Sequence, residues 1–313
     1  MYVHPQLQPV LDALPARDMF ADIPATRAGL HRAMASREPY GDPRLGIEDA
    51  VARVPGETDV PVRLYRPAGV EGPLPAVLFF HGGGFALGDL DSGDRTCARI
   101  CTDTGALVIA VDYRLAPEHP YPAAPTDAWT ALRWAAAAHA ELGLDPARLA
   151  VCGHSAGACL AAGLTLRARA ENGPAIAFQQ LLLPVLDDRD TGTSREEVDD
   201  PRVINGASAR TLWRIYLADA AADPGALPAY AVPGRAGDLS RLPPAYVQVA
   251  GSDPLRDEGL AYARRLAEHG VGLELRFVPG AFHLFEDFGA ATPLARETVA
   301  HWLRALREAL RPA

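Results

Sequence analysis

The sequence contains a serine in a setting typical of a nucleophile. Ser155 lies in GHSAG (153–157), a G-x-S-x-G pattern that follows an apolar run and precedes a helical pattern. The flanking glycines allow a tight strand-to-helix turn, and the helix start places free N–H groups and partial positive charge beside the hydroxyl. Because a serine hydroxyl is a weak nucleophile at neutral pH, it needs a base, which could be the adjacent His154 or a distant histidine.

A distant histidine fits the role of the base better than His154. At a sharp turn neighbouring side chains diverge, so we expect His154 to point away from Ser155 and to pack beside the site. His283, in PGAFHLF, follows one predicted strand, and Asp253 follows another. The carboxyl ends of parallel strands meet at one edge of a sheet, where the working loops of such folds lie. We therefore predict Ser155 as nucleophile, His283 as base and Asp253 as the orienting acid.

Two other carboxylates compete with Asp253 for the role of the acid. Asp257 and Glu258 lie in the same segment, GSDPLRDEG (251–259). We expect both in the first turn of the following helix, where carboxylates cap the helix and interact favourably with its dipole. Asp253 is therefore the predicted acid.

A glycine-rich segment can supply hydrogen-bond donors to a reaction intermediate. HGGGF (81–85) directly follows an apolar run. Acyl transfer passes through a tetrahedral oxyanion, and a loop without side chains lets backbone amides approach it; losing one such donor costs about 2.7–4 kcal/mol of barrier. Spacing alone allows the amides of Gly82, Gly83 or Gly84 to act together with that of Ala156.

The elements that position these residues alternate between strand and helix from about residue 47. IEDAVARV and VPVRLY are predicted as an antiparallel pair, followed by strands that are buried on both faces. The apolar runs that predict these strands are residues 75–80, 106–112, 148–153, 177–183, 244–251 and 273–278. Helical periodicity covers residues 126–142, 155–170, 259–270 and 292–310. The alternation predicts an α/β fold with a mostly parallel central sheet flanked by helices.

Two segments interrupt this alternation and are predicted as caps over the site. Residues 1–45 contain helical pieces and no strand, and residues 187–225 place a polar loop and a helix between two strands. We therefore expect an N-terminal helical cap segment at 1–45 and a catalytic domain at 46–313, with 187–225 as a second cap insertion. The alternative is that both segments are peripheral decoration.

The composition argues against several classes of protein. The formal net charge of −9 disfavours nucleic-acid binding, which requires a basic surface. All 30 basic residues are arginine, so Schiff-base, pyridoxal, P-loop and Ser–Lys chemistry have no lysine to use. No apolar run approaches the roughly 18 residues of a membrane span, and the N-terminus lacks the pattern of a signal peptide. We therefore expect a cytoplasmic protein without stable membrane insertion.

Neither a metal nor a cofactor is predicted. The four cysteines have no zinc-like spacing with one another or with a histidine, and in the cytoplasm they are expected to be buried free thiols. A serine, an imidazole and a carboxylate carry out acyl transfer without an added group.

Five motifs together resemble one known family. HGGGF, DYRLAPEHPYPAAPTDA (112–128), GHSAG, GSDPLRDEG and FH (282–283) occur in the order seen in hormone-sensitive-lipase-like esterases, the family IV subgroup of the α/β-hydrolases. The resemblance covers essentially the whole catalytic core. The chain order Ser155, Asp253, His283 is also the order that α/β-hydrolases use for their triad.

The resemblance implies further roles around the serine. It implies Gly83 and Gly84, with Ala156, as the donors of the oxyanion hole. Within DYRLAPE, we expect Tyr113 and Arg114 to brace the glycine loop; the alternative is that this segment is an ordinary surface loop.

The expected activity is hydrolysis of short- to medium-chain carboxylic esters through an acyl-enzyme, with a small-molecule ester as substrate. An amidase or peptidase, a lipase acting on longer acyl chains, and a binding protein without turnover are the alternatives. Two residues depart from the family pattern: His154 stands where Asp or Thr is usual, and Ala158 where Gly is usual. Homo-oligomerisation is compatible with the sequence.

Overall fold

The computed structural model describes residues 1–35, 42–70, 72–223 and 225–312. Its strands are β1 (Leu45–Ala52), β2 (Val60–Pro67), β3 (Leu74–Phe80), β4 (Leu107–Val111), β5 (Leu144–His154), β6 (Phe178–Leu182), β7 (Ala245–Ala250) and β8 (Leu273–Val278). They form one eight-stranded sheet with the order β1-β2-β4-β3-β5-β6-β7-β8. Strand β2 is antiparallel to both β1 and β4, and the remaining neighbours are parallel, so β2 runs against the other strands. The predicted mostly parallel sheet is confirmed.

Burial on both faces, predicted for the apolar runs, depends on the position of each strand in the sheet. Every residue of β4, β6 and β7 is buried, because these strands have a neighbour on each side and helices on both faces. The prediction is wrong for β8, where Leu275 is 43% and Phe277 is 42% exposed. Since β8 is the last strand of the sheet, it lacks a neighbour on one side within the described residues.

Helices pack on both faces of the sheet and also form part of the two segments outside it. They are α1 (Gln8–Ala13), α2 (Ile23–Ala35), α3 (Leu90–Thr104), α4 (Ala123–Ala137), α5 (His139–Leu142), α6 (Ala156–Ala170), α7 (Ser194–Glu197), α8 (Gly206–Leu217), α9 (Arg256–Glu268), α10 (Phe285–Phe288) and α11 (Pro293–Ala309). The periodicity predicted α4, α6, α9 and α11 to within a few residues, and it missed α3 and α10 as helices. Helix α3 begins at a capping box, in which Asp89 and Ser92 exchange backbone and side-chain hydrogen bonds.

Alternation of side chains along each strand divides the core into two layers. In β3, Val77 and Phe79 pack against α3 and α11, whereas Leu78 and Phe80 pack on the opposite face with residues of α4, α6 and α9. This is the period of two that a strand imposes on its side chains. The buried face of α3 includes Cys97 and Cys101, and all four cysteines are free and buried, as predicted.

The two segments that interrupt the alternation lie outside the sheet. Helices α1 and α2 precede β1, and α7 and α8 lie between β6 and β7. Strand β1 begins at Leu45, the last residue of the predicted first segment, and residues 36–41 of that segment lie outside the described residues. In the described parts of the chain, no helix is both long and apolar enough to cross a membrane.

Candidate active site

Ser155 lies at a strained turn between β5 and α6. Its φ is 55° and its ψ is −116°, a sparsely populated region for a residue other than glycine, so the surroundings must hold it there. A Cβ on Gly153 would lie 2.2 Å from the carbonyl oxygen of Gly157, and one on Gly157 would lie 2.0 Å from that of Phe80. The Ser155 amide donates to the carbonyl of Leu182 on β6, at 2.9 Å. Close backbone packing therefore explains both glycines of the motif.

The structure brings Ser155, His283 and Asp253 together. His283 Nε2 lies 2.9 Å from Ser155 Oγ, and His283 Nδ1 lies 2.7 Å from Asp253 Oδ2. The Leu255 amide donates to the other carboxylate oxygen of Asp253, at 2.9 Å. The three residues are 4%, 3% and 1% exposed. Asp253 follows β7 and His283 follows β8, so the parallel sheet delivers both side chains to the edge at which Ser155 lies.

His154 points to the opposite side of the turn. Its ring packs edge-on against Phe79, with centroids 5.9 Å apart, and against Trp302 of α11, with centroids 6.4 Å apart. Burial lowers the pKa of His154, so the ring stays neutral at neutral pH. This geometry agrees with the expectation that His154 packs beside the site and that His283 reaches the serine.

The glycine loop after β3 adopts a backbone conformation that favours glycine. Gly83 has a φ of 124° and Gly84 a φ of 61°. A Cβ on Gly83 would lie 2.1 Å from the carbonyl oxygen of Leu87, whose amide donates back to the Gly83 carbonyl at 2.9 Å. The loop therefore closes on itself without room for a side chain.

Four backbone amides beside Ser155 have no acceptor within the described residues: those of Gly82, Gly83, Gly84 and Ala156. Ala156 is the first residue of α6, where the helix has free N–H groups. Gly82 lies against the turn, since a Cβ built there would be 3.4 Å from the Cβ of Ser155. The loop and the helix start thus meet at the serine turn with unpaired donors, and Gly82 stays an alternative to Gly84 as the partner of Gly83.

The DYRLAPE segment braces the glycine loop through Tyr113 and through the Ala116 amide, which donates to the carbonyl of Phe85 at 2.9 Å. Tyr113 donates its hydroxyl to the carbonyl of His81 at 2.8 Å and stacks on the His81 ring. The His81 ring in turn lies 2.7 Å from the carbonyl of Gly82 through Nδ1. The expectation for Arg114 is wrong: its guanidinium binds Asp127 of α4, at 2.7 Å, instead of the loop. Asp127 also accepts the Arg114 amide, so the pair fixes the segment to α4.

The two carboxylates that competed with Asp253 anchor the insertion between β6 and β7. Asp257 accepts the amide of Ser194, at 2.9 Å. Glu258 accepts the amide of Leu186 at 2.7 Å and forms a buried ion pair with Arg195 at 2.5 Å. Both lie in the first turn of α9, as predicted, but their partners are residues of the insertion.

Both segments outside the sheet contact the glycine loop. A Cβ on Gly84 would lie 2.5 Å from the ring of Phe20, which precedes α2, and 3.3 Å from the Cβ of Leu212 on α8. Arg27 of α2 donates to the carbonyls of Ala86 and Ala116, at 2.8 and 2.9 Å. No sequence pattern singled out Phe20 or Arg27, because a lone aromatic residue and a helical arginine are ordinary outside any motif.

The first residues of the chain contact the loops that carry Asp253 and His283. The Ser252 hydroxyl donates to the carbonyl of Tyr2, and the His4 amide donates to the carbonyl of Gly280 at 2.9 Å. No sequence pattern indicated this contact.

One group of side chains has the spacing of a metal site. Ligand atoms of His31, Asp89 and Asp91 lie within 4.8 Å of one another, with two of the three residues exposed. The Asp89 carboxylate is already bonded to the amide of Ser92 as the cap of α3. This arrangement is that of a capped, solvated helix start.

Comparison with known proteins agrees with this geometry. Residues 77–287 match a family model described as the α/β-hydrolase fold. The chain belongs to the α/β-hydrolase family. The match spans the glycine loop, the serine turn and the loops of Asp253 and His283, and its family contains the hormone-sensitive-lipase-like esterases that the motifs resemble.

Related α/β-hydrolases are esterases. The carboxylesterase NlhH of Mycobacterium tuberculosis is 40% identical over 311 residues, which are 98% of this chain and 96% of that protein. The ethyl acetate hydrolase of Pseudomonas putida is 36% identical over 80% of this chain and 79% of its own. A solved bacterial heroin esterase superposes with a TM-score of 0.92 at 38% identity, covering 99% of each chain. This α/β-hydrolase is a carboxylic ester hydrolase.

Proposed function

We propose that the protein hydrolyses short- to medium-chain carboxylic esters through an acyl-enzyme formed on Ser155. The observation that carries the proposal is the continuous pair of contacts from Ser155 Oγ to His283 Nε2, 2.9 Å, and from His283 Nδ1 to Asp253, 2.7 Å. Nucleophile and base are within hydrogen-bond reach, and a third group orients the base, which is the arrangement that activates a serine.

Each residue has one task in the proposed reaction. His283 accepts the proton from Ser155 as the oxygen attacks the ester carbonyl, and returns it to the leaving alcohol. Asp253 holds the imidazole with Nδ1 protonated and stabilises the imidazolium; its other oxygen is held by the Leu255 amide. Water then attacks the acyl-enzyme by the same route. Because the His283–Asp253 pair is almost fully buried, their attraction is weakly screened.

The oxyanion is proposed to bind the amides of Gly83, Gly84 and Ala156, with Gly82 as the alternative glycine. These amides lack another acceptor in the described chain, and they belong to a loop and a helix start that meet at Ser155. The amino end of α6 adds its partial positive charge at the same place. Each donor is expected to contribute about 2.7–4 kcal/mol of barrier lowering.

The segments 1–45 and 187–225 are proposed to form the cap that shapes the acyl pocket. Support comes from Phe20 and Leu212, one from each segment, which lie against Gly84 beside the proposed oxyanion hole. Their apolar side chains favour an acyl chain over a charged group. The activity of the Pseudomonas putida relative, named for ethyl acetate, supports the preference for short esters. A cytoplasmic location is also proposed, since all four cysteines are free.

Substitution of the serine tests the proposed function. Ser155→Ala should abolish hydrolysis of a short-chain p-nitrophenyl ester, and a fluorophosphonate should label the wild-type protein at Ser155. Ser240→Ala, a serine outside the site, should keep both properties. Activity of Ser155→Ala equal to that of Ser240→Ala would contradict the proposal.

A panel of aryl esters of increasing acyl length, run beside an aryl amide of matched acyl group, separates the alternatives. We expect the highest kcat/KM for short to medium acyl chains and little hydrolysis of the amide. Comparable rates on the amide would favour an amidase, and a preference for long chains would favour a lipase.

A further inference from the structure

Two buried polar residues and a buried tryptophan of α11 lie together behind the candidate active site. His154, Trp302 and Glu286, which we call the rear cluster, are 8%, 2% and 7% exposed. The rings of His154 and Trp302 meet at 88° with centroids 6.4 Å apart. Trp302 Nε1 donates to Glu286 Oε1 at 3.2 Å. The Trp302 indole therefore contacts His154 through its ring and Glu286 through its N–H.

The two partners of Trp302 belong to the two segments that carry the proposed reacting groups. His154 directly precedes Ser155 at the turn after β5. Glu286 follows His283 by three residues and lies in α10. Since α10 is a single short turn that begins after Leu284 in the left-handed conformation, φ 57°, its own hydrogen bonds do little to fix it. The contact with α11 supplies an external anchor.

We propose that Trp302 and Glu286 are positioning residues that tie the histidine turn to the serine turn and thereby set the contact between His283 and Ser155. This inference rests on the proposed function, in which those two residues react. Trp302 and Glu286 act through their neighbours: one through the ring of His154, the other through α10. A misplacement of about 1 Å at a reacting pair can cost 10²-fold in rate, so contacts that hold His283 and Ser155 in place should raise the rate.

The buried carboxyl of Glu286 is neutral at pH 7, because burial outweighs the hydrogen bonds that would favour its charged form. Burial raises the pKa of its carboxyl to about 8, and neighbouring Asp287 acts in the same direction. Below that pH the carboxyl is protonated, and above it a charge forms in a buried site. The other groups that face it are Gln248 and Tyr246 of β7, Trp302 of α11, Arg99 of α3 and Cys152 of β5.

These surroundings compensate a carboxylate only in part: Gln248 and Trp302 lower the pKa of Glu286, but by less than burial raises it. Arg99 is the one cation among the described groups named above, and its effect on Glu286 is smaller than that of burial. His154 does not supply a positive charge, since burial lowers its own pKa. Ionisation of Glu286 is therefore expected to loosen the rear cluster and to slow the reaction above pH 8.

Two conservative substitutions test the N–H of Trp302 and the carboxyl of Glu286 separately. Trp302→Phe keeps a ring against His154 and removes the N–H, whereas Glu286→Gln keeps an acceptor and removes the charge. Their matched controls are Trp134→Phe on α4, which is half-buried, and Glu297→Gln, an exposed residue of α11. We would measure kcat and KM for a short-chain p-nitrophenyl ester from pH 6 to 10, counting active sites by fluorophosphonate titration so that unfolded protein does not contribute.

Trp302→Phe is expected to lower kcat about tenfold per titrated site at pH 7 with KM nearly unchanged, as a positioning defect should. Glu286→Gln is expected to match the wild type at pH 7 and to keep its kcat at pH 9.5, where the wild type falls several-fold. A Trp302→Phe kcat equal to that of Trp134→Phe, or superimposable pH profiles for Glu286→Gln and the wild type, would overturn the inference.

The same experiments separate this inference from the proposed function. If Ser155→Ala is inactive while both rear-cluster variants behave like their controls, the rear cluster has no positioning role and the proposed function stands. If Ser155→Ala keeps its activity, the proposed function fails, and the inference fails with it.

Discussion

The edge of the sheet where the proposed reacting groups lie, which we call the catalytic edge, and the two proposed cap segments are held in place by different contacts. At the edge, backbone packs directly on backbone: a Cβ on Gly157 would lie 2.0 Å from the carbonyl of Phe80, and one on Gly83 would lie 2.1 Å from that of Leu87. The proposed caps are held largely by side chains, as in the buried pair of Arg195 and Glu258. Backbone packing contributes there too, since a Cβ on Gly206 would lie 1.8 Å from the carbonyl oxygen of Arg195. An added Cβ at either edge glycine therefore clashes with backbone, whereas the contacts of Arg195 and Phe20 are made by side chains and can be exchanged one at a time.

In this α/β-hydrolase, the groups proposed to react and the groups proposed to select the substrate are therefore of different kinds. The groups that bind the proposed oxyanion are backbone amides, which mutation alters only indirectly. The residues that the caps present to the same loop, such as Phe20 and Leu212, are side chains. Changes in the proposed caps are thus expected to vary the substrate while the proposed reacting groups stay fixed.

The largest effect is expected from a methyl group at the catalytic edge. Gly157→Ala would place its Cβ 2.0 Å from the carbonyl oxygen of Phe80, so β3 and α6 must separate, and both folding and hydrolysis should be lost. Gly46→Ala is the control, because a Cβ there meets nothing within 4 Å. Yield of folded protein and thermal unfolding measure the effect. An active, normally stable Gly157→Ala would show that backbone packing does not fix the edge.

The next largest effect distinguishes the two histidines at the edge. His283→Ala removes the proposed base and should lower kcat by about 10⁴-fold or more. His154→Ala removes a buried ring that contacts Phe79 and Trp302, so it should cost stability and much less activity. Both variants are compared by kcat per folded molecule. Greater loss in His154→Ala than in His283→Ala would reverse the assignment of the base.

Local motifs and parallel strands made part of the candidate site predictable from the sequence. The serine turn and the glycine loop are local, so their glycines and their order along the chain predicted the site. Asp253 and His283 were predicted because parallel strands carry both to one edge. Arg27, Phe20 and Tyr2 were missed, since their contacts with the site depend on how the N-terminal segment folds back across the sheet.

Other expectations failed for reasons of tertiary packing. The position of β8 at the end of the sheet exposes Leu275 and Phe277, although the apolar run resembles those of the central strands. Arg114 was assigned to the glycine loop, but Asp127 of α4 lies closer and takes its guanidinium. A motif therefore predicts that a residue is important. It predicts less reliably which partner that residue contacts.

The smallest effect on chemistry is expected from the cap anchor. Arg195→Leu leaves Glu258 buried without its partner, and breaking a buried pair typically costs about 3–5 kcal/mol of stability. Burial already raises the pKa of Glu258 to about 7, and loss of Arg195, which lowers it, should raise the pKa further. Near pH 5 the Glu258 carboxyl is protonated in both folded proteins. Above pH 7 it is ionised in the folded wild type but still protonated in the folded variant. Only the variant must therefore take up that proton as it folds.

The destabilisation caused by Arg195→Leu should therefore increase as the pH rises from 5 to 8. Denaturant unfolding at several pH values measures it, and Arg264→Leu, which breaks an exposed pair with Glu268, should show little loss at any pH. While the protein stays folded, kcat on the shortest ester should be nearly unchanged and the preference for acyl length should shift. A large loss of kcat on that ester would mean that the cap anchor also positions the reacting groups, and the division between edge and cap would not hold.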